Sequence, residues 1–275
     1  MKRMVTIQDI SCVGKCSLTV ALPIISAMGT ETCVIPTAVL STHTAFDSFT
    51  FRDLTDEIEP IADNWKEQGI DFSCIYTGYL GSKRQLSIVS DFIDDFGKNA
   101  LVFIDPVMGD FGKLYSGFSR DFACKMAELC KKADVIVPNL TEACYLLGEP
   151  FREITSEEEI KDILRRLCAL GAKNAVLTGI IPREGMMGAM MYCAEKDKFF
   201  SHFAHRTNKT FHGTGDVFAS TCVGALCRGK SLEDALALAV DFTAECARIS
   251  VEKNDSRWYG VDFEDAIPWL CERMG

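Results

Sequence analysis

The chain has 275 residues, 48% of them hydrophobic, a formal net charge of -10 and a pI near 5.0. That size and apolar content suit one domain around a sizeable core. An acidic chain without a Lys/Arg cluster argues against nucleic acid and anionic membrane as partners, but not against a nucleotide, whose phosphates need only local donors. The 13 cysteines are odd in number and scattered, with no C-x-x-C pair, which fits a reducing cytoplasmic setting and small core residues. No stretch is apolar for long enough to span a membrane, and no signal peptide is expected. The glycosylation-like triplets at Asn139, Asn208 and Asn254 are therefore read as chance matches.

Val5 to Gln8 reads as a short first strand, followed by a turn through Lys15 and a helix from Ser17 to Met28 closed by Gly29. Thr32 to Pro36 is a second strand. Thr37 to Arg52 has no clear period and holds His43 and Thr44; it reads as a long polar loop or a strand pair covering something. Thr55 to Gln68 is a helix stopped by Gly69.

A pattern then sets in. Short, continuously apolar runs at Cys74 to Tyr76, Ala100 to Ile104, Val135 to Val137 and Ala175 to Leu177 read as parallel strands buried on both faces. Helices separate them at Ser82 to Phe96, Arg120 to Lys132 and Ser156 to Leu170, the last with a Ser156/Glu159 capping box. Alternation of this kind means βαβ units and a mostly parallel sheet. The strands end in Thr77-Gly78-Tyr79, Asp105-Pro106, Pro138-Asn139 and Thr178-Gly179. Ligands of open parallel sheets bind outside the carboxyl ends of the strands, so Tyr79, Asp105, Asn139 and Thr178 belong to one edge. Met187 to Cys193 and Lys198 to His205 read as a β-hairpin.

The stretch Gly213-Thr214-Gly215-Asp216 opens an apolar helix, Val217 to Arg228, which reads as starting at the second glycine. Glycines at a helix start leave free N–H groups and close access, which suits an anion. An acid beside an anion would repel it, so Asp216 is better suited to take a proton from a hydroxyl that attacks a phosphate. The same four residues are equally compatible with a glycine-rich loop feeding a core helix. Ser231 to Ser250 is an amphipathic helix capped by Ser231 with Asp234, and Asp262 to Arg273 is a final one. Without repeats or linkers, residues 1–275 are expected to form a single domain.

Taken together, the motifs resemble the ribokinase-like superfamily and, within it, the pyridoxal kinases, over nearly the whole chain. Gly213-Thr214-Gly215-Asp216 resembles the superfamily's anion hole and base, and Asn139-Leu140-Thr141-Glu142 its N-x-x-E motif. Ser41-Thr42-His43-Thr44, Thr77-Gly78-Tyr79 and Asp105-Pro106-Val107-Met108-Gly109-Asp110 are similar in order and spacing to the vitamin B6 branch's S-N-H-T, S-G-Y and D-P-V-M-G-D signatures. Thr42 replaces the usual Asn, and Leu40 stands where an aromatic is common.

The resemblance implies a three-layer α/β/α sandwich and ATP- and Mg²⁺-dependent phosphorylation of the 5-hydroxymethyl group of pyridoxal, pyridoxamine or pyridoxine. It implies Asp216 as base, with the N–H groups of Gly213, Thr214 and Gly215 stabilising the transferring phosphoryl. Asp105 and Glu142 would hold Mg²⁺, directly or through water. Asp110, Asn139 and Thr178 would line the nucleotide side. Ser11, Thr44 and Tyr79 would meet the pyridine ring. Tyr115 would lie in a flap near residues 110–118 that excludes water. His43 matches the signature histidine and would either touch the ring or hold its loop. A monovalent cation such as K⁺, a homodimer and a cytoplasmic location are further implications. Two alternatives remain: a hydroxymethylpyrimidine kinase, and a non-catalytic B6-binding sensor or carrier.

Overall fold

A computed structural model describes residues 2–154, 156–253 and 257–274; the triplet at Asn254 lies outside them. The first strand, β1 (Arg3–Val13), is much longer than its apolar segment, because β2 (Glu31–Thr42) runs parallel beside it to the end. The pairing slips once. Gln8 faces Pro36 and Ile10 faces Val39, so Asp9 sits opposite a bulge in β2. The helix between them, α1 (Leu18–Ala27), follows a tight turn. The polar stretch after Pro36 is indeed a strand pair: β2 continues to Thr42, and β3 (Phe51–Asp53) returns antiparallel to it.

The chain then crosses through α2 (Thr55–Glu67) to β4 (Cys74–Thr77) on the other side of β1. From there it steps outward through α3 (Lys83–Phe96), β5 (Leu101–Ile104), a small hairpin of β6 (Gly109–Asp110) and β7 (Lys113–Leu114), α4 (Arg120–Cys130) and β8 (Val135–Ile136). It continues with α5 (Leu140–Leu146), α6 (Glu157–Ala169) and β9 (Asn174–Ile180). The edge hairpin, β10 (Met186–Cys193) and β11 (Lys198–His205), runs antiparallel to β9. Three helices complete the chain: α7 (Thr214–Cys227), α8 (Leu232–Glu252) and α9 (Ile267–Met274).

The resulting nine-stranded sheet has the order β11-β10-β9-β8-β5-β4-β1-β2-β3, and β2, β1, β4, β5, β8 and β9 are parallel. Its connections diverge between β1 and β4, which opens a crevice at the carboxyl ends of those two strands. One face packs on α2 to α6 through Ile58, Leu86, Met126 and Leu164. The other packs on α1, α7, α8 and α9 through Ile24, Cys222, Phe242 and Leu270. Helix starts follow local chemistry: Ser82, Ser119, Ser156 and Ser231 each accept a backbone N–H of the first turn. Among the described residues no helix is long and apolar enough to cross a membrane.

Candidate active site

Helix α7 begins one residue earlier than its apolar pattern suggests. Gly213 is its N-cap, with a left-handed φ of 78°. A Cβ there would stand 1.8 Å from the Lys15 carbonyl oxygen, so only glycine fits. A Cβ on Gly215 would meet nothing within 4 Å. The second glycine is therefore not a packing requirement, and the N–H groups of the first turn have no partner within the helix.

Asp216 follows in that first turn. It is half-buried, with a strip of surface left to the crevice. Burial, and next the charge of Asp9, push its carboxyl up to about 7, against a backbone hydrogen bond from Ser17. Such a group is half ionised near neutral pH, which suits a general base.

Asp105, at the end of β5, is 7% exposed, and its N–H donates to the Thr77 carbonyl (2.9 Å) across to β4. Burial, and then the charges of Glu142 and Asp216, hold its carboxyl well above the usual range. Asn139 and Glu142 form a reciprocal cap at the start of α5. Glu142 N–H donates to Asn139 Oδ1 (3.0 Å), and Asn139 N–H donates to Glu142 Oε2 (2.9 Å). The other oxygen, Oε1, accepts Met108 N–H (3.1 Å), while Asn139 Nδ2 donates to the Gly109 carbonyl (2.8 Å). The two motifs thus lock each other in place. Burial raises the Glu142 carboxyl against these backbone donors. Among the described residues no three His, Cys, Asp or Glu side chains converge tightly enough to hold a metal alone. Asp105 and Glu142 nevertheless fit Mg²⁺: they are buried oxygen donors whose like charges need neutralising, and Mg²⁺ retains waters and phosphate oxygens.

Asp110 is exposed at the base of the β6–β7 hairpin, where its Oδ1 accepts Phe111 N–H (2.8 Å). Phe111 and Gly112 have φ of 49° and 78°, the two positive values of a tight hairpin turn. Gly112 N–H donates to Thr141 Oγ (2.9 Å), which pins the turn to α5. Tyr115 follows, 44% exposed. Desolvation, and next the carboxylates of Glu142 and Asp110, raise its phenol. Thr178 lies beside Asn139 through a single parallel bridge, its hydroxyl donating to the Pro138 carbonyl (3.3 Å).

On the opposite wall, Tyr79 is half-buried and packs on Phe118 at 5.5 Å between ring centroids. Gln85, fully buried, holds this loop: its Oε1 accepts Gly81 N–H (2.6 Å), and its Nε2 donates to Thr37 O (3.0 Å) and Thr55 Oγ (2.9 Å). Both nitrogens of His43 are engaged. Nδ1 accepts Ala45 N–H (3.1 Å), so Nε2 donates to the Tyr259 carbonyl (2.8 Å), and burial lowers the imidazole's pKa. His43 therefore holds the loop, while Thr44 beside it is exposed. Phe46, Trp258 and Tyr259 surround the His43 ring.

Ser11 is 1% exposed and its hydroxyl donates to Asp9 Oδ2 (3.1 Å). The acid it serves had no role in the sequence reading, although Asp9 and Ser11, two apart, lie on one face of β1. Ser17, Lys15 and Gln85 were likewise unassigned. Lys15 forms ion pairs with Asp262 and with Glu264 (2.8 Å), clamping the loop beneath Gly213 to the C-terminal segment.

A model of the phosphomethylpyrimidine kinase family matches residues 22–259, and the chain belongs to that kinase family, within the ribokinase-like superfamily. Among solved structures, a candidate phosphomethylpyrimidine kinase of Bacteroides thetaiotaomicron, crystallised with pyridoxal, is 39% identical. It has a TM-score of 0.93 and covers 98% of this chain and 95% of that one. Pyridoxal kinase from Lactobacillus plantarum is 31% identical with a TM-score of 0.90, covering 99% and 98%. The fold is thus the ribokinase-like α/β/α sandwich. A hydroxymethylpyrimidine/phosphomethylpyrimidine kinase of Aquifex aeolicus is 27% identical over 78% of this chain and 80% of its own length. A candidate pyridoxal kinase of Caenorhabditis elegans is 29% identical over 67% of this chain, which spans 58% of that protein.

Proposed function

We propose that this phosphotransferase uses ATP to phosphorylate the 5-hydroxymethyl group of the vitamin B6 vitamers pyridoxal, pyridoxamine and pyridoxine. The observation that carries the reading is Asp216, an acid poised near 7 in the first turn of α7, next to Gly215, where an added side chain would meet nothing within 4 Å. Asp216 takes the hydroxymethyl proton as the oxygen attacks the γ-phosphorus. The N–H groups of Gly213, Thr214 and Gly215 bind the charge that grows on the transferring phosphoryl. Asp105 and Glu142 hold Mg²⁺, which when bound neutralises phosphate charge. Asp110, Asn139 and Thr178 line the nucleotide side, Tyr79 and Thr44 the ring side. The 110–118 hairpin, with Tyr115, folds over the phosphates and keeps out water, a competing acceptor.

The vitamer assignment is supported by the S-T-H-T, T-G-Y and D-P-V-M-G-D motifs and by two solved relatives above 30% identity, one named a pyridoxal kinase and one crystallised with pyridoxal. The family match and the Aquifex aeolicus relative favour a second reading, hydroxymethylpyrimidine phosphorylation by the same chemistry. A non-catalytic sensor is disfavoured, since Asp216, both glycines and both Mg²⁺ acids are present. The test is ADP release with Mg-ATP and K⁺, offering the three vitamers and hydroxymethylpyrimidine in parallel. Turnover confined to hydroxymethylpyrimidine moves the assignment to that substrate, and silence on all four refutes both substrate readings. A homodimer, a cytoplasmic location and K⁺ dependence belong to the same proposal. Sedimentation showing only a 30.4 kDa species removes the dimer.

A further inference from the structure

Resting on the B6 reading, we propose that Asp9 is the specificity-determining residue of this site. Its carboxylate accepts a hydrogen bond from the protonated ring nitrogen of the pyridine substrate, and Ser17 ties that contact to the base, Asp216.

Asp9 is 5% exposed and lies where β1 borders the crevice, opposite the single slip in the β1–β2 register. Bulges of this kind re-aim side chains beside sites. Its oxygens accept hydroxyl hydrogen bonds from Ser11 (Oδ2, 3.1 Å) and Ser17 (Oδ1, 2.5 Å). Its own backbone N–H adds a third contact, and a carboxylate has room for about four, so one lone-pair position remains. Four titratable groups lie within electrostatic reach of it: Asp216 on α7, Tyr79 after β4, His43 after β2, and Cys16 in the turn before α1.

None of the four supplies a fixed positive charge. His43 has its Nδ1 occupied as an acceptor and its pKa lowered, and it is the weakest of the groups that favour the Asp9 anion. Among the described residues, no lysine or arginine forms an ion pair with Asp9. A buried carboxylate without a cation costs free energy that a cationic ligand recovers. A pyridinium N–H supplies both the charge and the hydrogen bond, the pairing that pyridoxal phosphate sites use for the ring nitrogen.

Ser17 makes the link to the base. It has φ 51° and ψ -135°, a conformation that non-glycine residues rarely adopt. In it, the hydroxyl donates to Asp9 while the backbone N–H serves Asp216. Ring capture at Asp9 and proton abstraction at Asp216 are thus built on one residue.

The test uses the full-length protein, pyridoxine, and the carbocyclic analogue in which the ring nitrogen is CH. Near-ultraviolet absorption of bound pyridoxine reports ring protonation, and calorimetry gives the two affinities. Wild type is expected to keep the bound ring protonated to higher pH than free pyridoxine, and to prefer pyridoxine over the analogue by ~10-fold or more, as for a charge-assisted bond. Asp9→Asn and Asp9→Ser are expected to lose that upward shift in ring protonation, to lose that preference, and to shift the acid limb of the kcat/KM profile to lower pH. The limb moves with the charge of Asp9 alone; the lost ring protonation and the lost preference for pyridoxine are what a residue without the ring contact would not show. An unprotonated bound ring in wild type, or equal affinity for the analogue, overturns the proposal even if neither variant folds. Turnover of pyridoxine with an unprotonated ring overturns Asp9 alone. Failure to bind or phosphorylate any vitamer overturns the B6 reading with it.

Discussion

Replacing Asp216 with Asn should damage catalysis and improve stability together, and the improvement should depend on pH in a calculable way. The Asp216 carboxyl is pushed from 3.8 to about 7 in the folded protein. Between those values the unfolded chain gives up a proton that the folded chain keeps. The unfolded state then binds fewer protons, so wild-type stability falls as pH rises through this window and levels off above about 7. Each pKa unit corresponds to about 1.4 kcal/mol. From pH 5 to pH 8 the folded protein thus loses about 3 kcal/mol to this one group, and the Asn variant does not. Urea unfolding of both proteins at pH 5 and pH 8 measures the difference directly. The stability gap in favour of Asp216→Asn should widen by about 3 kcal/mol at the higher pH, while turnover falls by ~10²–10⁴. A gap that does not widen refutes the desolvated-acid argument. Turnover within about tenfold of wild type refutes the base assignment.

The same group predicts that kcat/KM rises with pH through about 7 as Asp216 ionises, and that this limb vanishes in Asp216→Asn. The two glycines before it should behave oppositely. Gly213→Ala meets a positive φ and the Lys15 carbonyl, and should lower unfolding free energy by ~2 kcal/mol or more. Gly215→Ala enters open space within a helix, and should keep or slightly raise stability while lowering kcat, because its methyl group takes up room beside the transferring phosphoryl. Gln85→Ala strands the buried partners at Gly81, Thr37 and Thr55, and should cost ~2–4 kcal/mol in urea unfolding while raising KM for the acceptor substrate.

The strand interiors were legible because a strand buried on both faces must be continuously apolar, and Cys74 to Tyr76 or Ala100 to Ile104 have no other sensible reading. Strand extents were not. Ser11 and Thr42 are polar, and only the neighbouring strand keeps them in the ladder, which is a long-range fact. The start of α7 was misjudged by one residue because Gly213 caps the helix through a backbone angle, which sequence does not display. The final helix starts at Ile267, after a single 3₁₀ turn at Glu264–Ala266. Asp105, Glu142 and Asp216 could be picked out because each sits in a motif with its own local logic. Asp9 could not. It matters through Ser17, His43, Tyr79 and Asp216, and nothing in a linear reading brings those four together.

The clamp between Lys15 and Asp262 joins residues 247 positions apart, and the His43 contact to Tyr259 spans 216. Closing such loops costs chain entropy that early folding contacts do not repay, so pairings of this kind form late. The parallel sheet from β1 to β9 can assemble before Gly213 to Asp262 has docked, and such an intermediate already carries Asp9, Asp105 and Glu142 without the base that faces them. During refolding from urea, the helical circular-dichroism signal should therefore recover ahead of phosphoryl transfer. The interval between the two signals times the arrival of the last quarter of the chain.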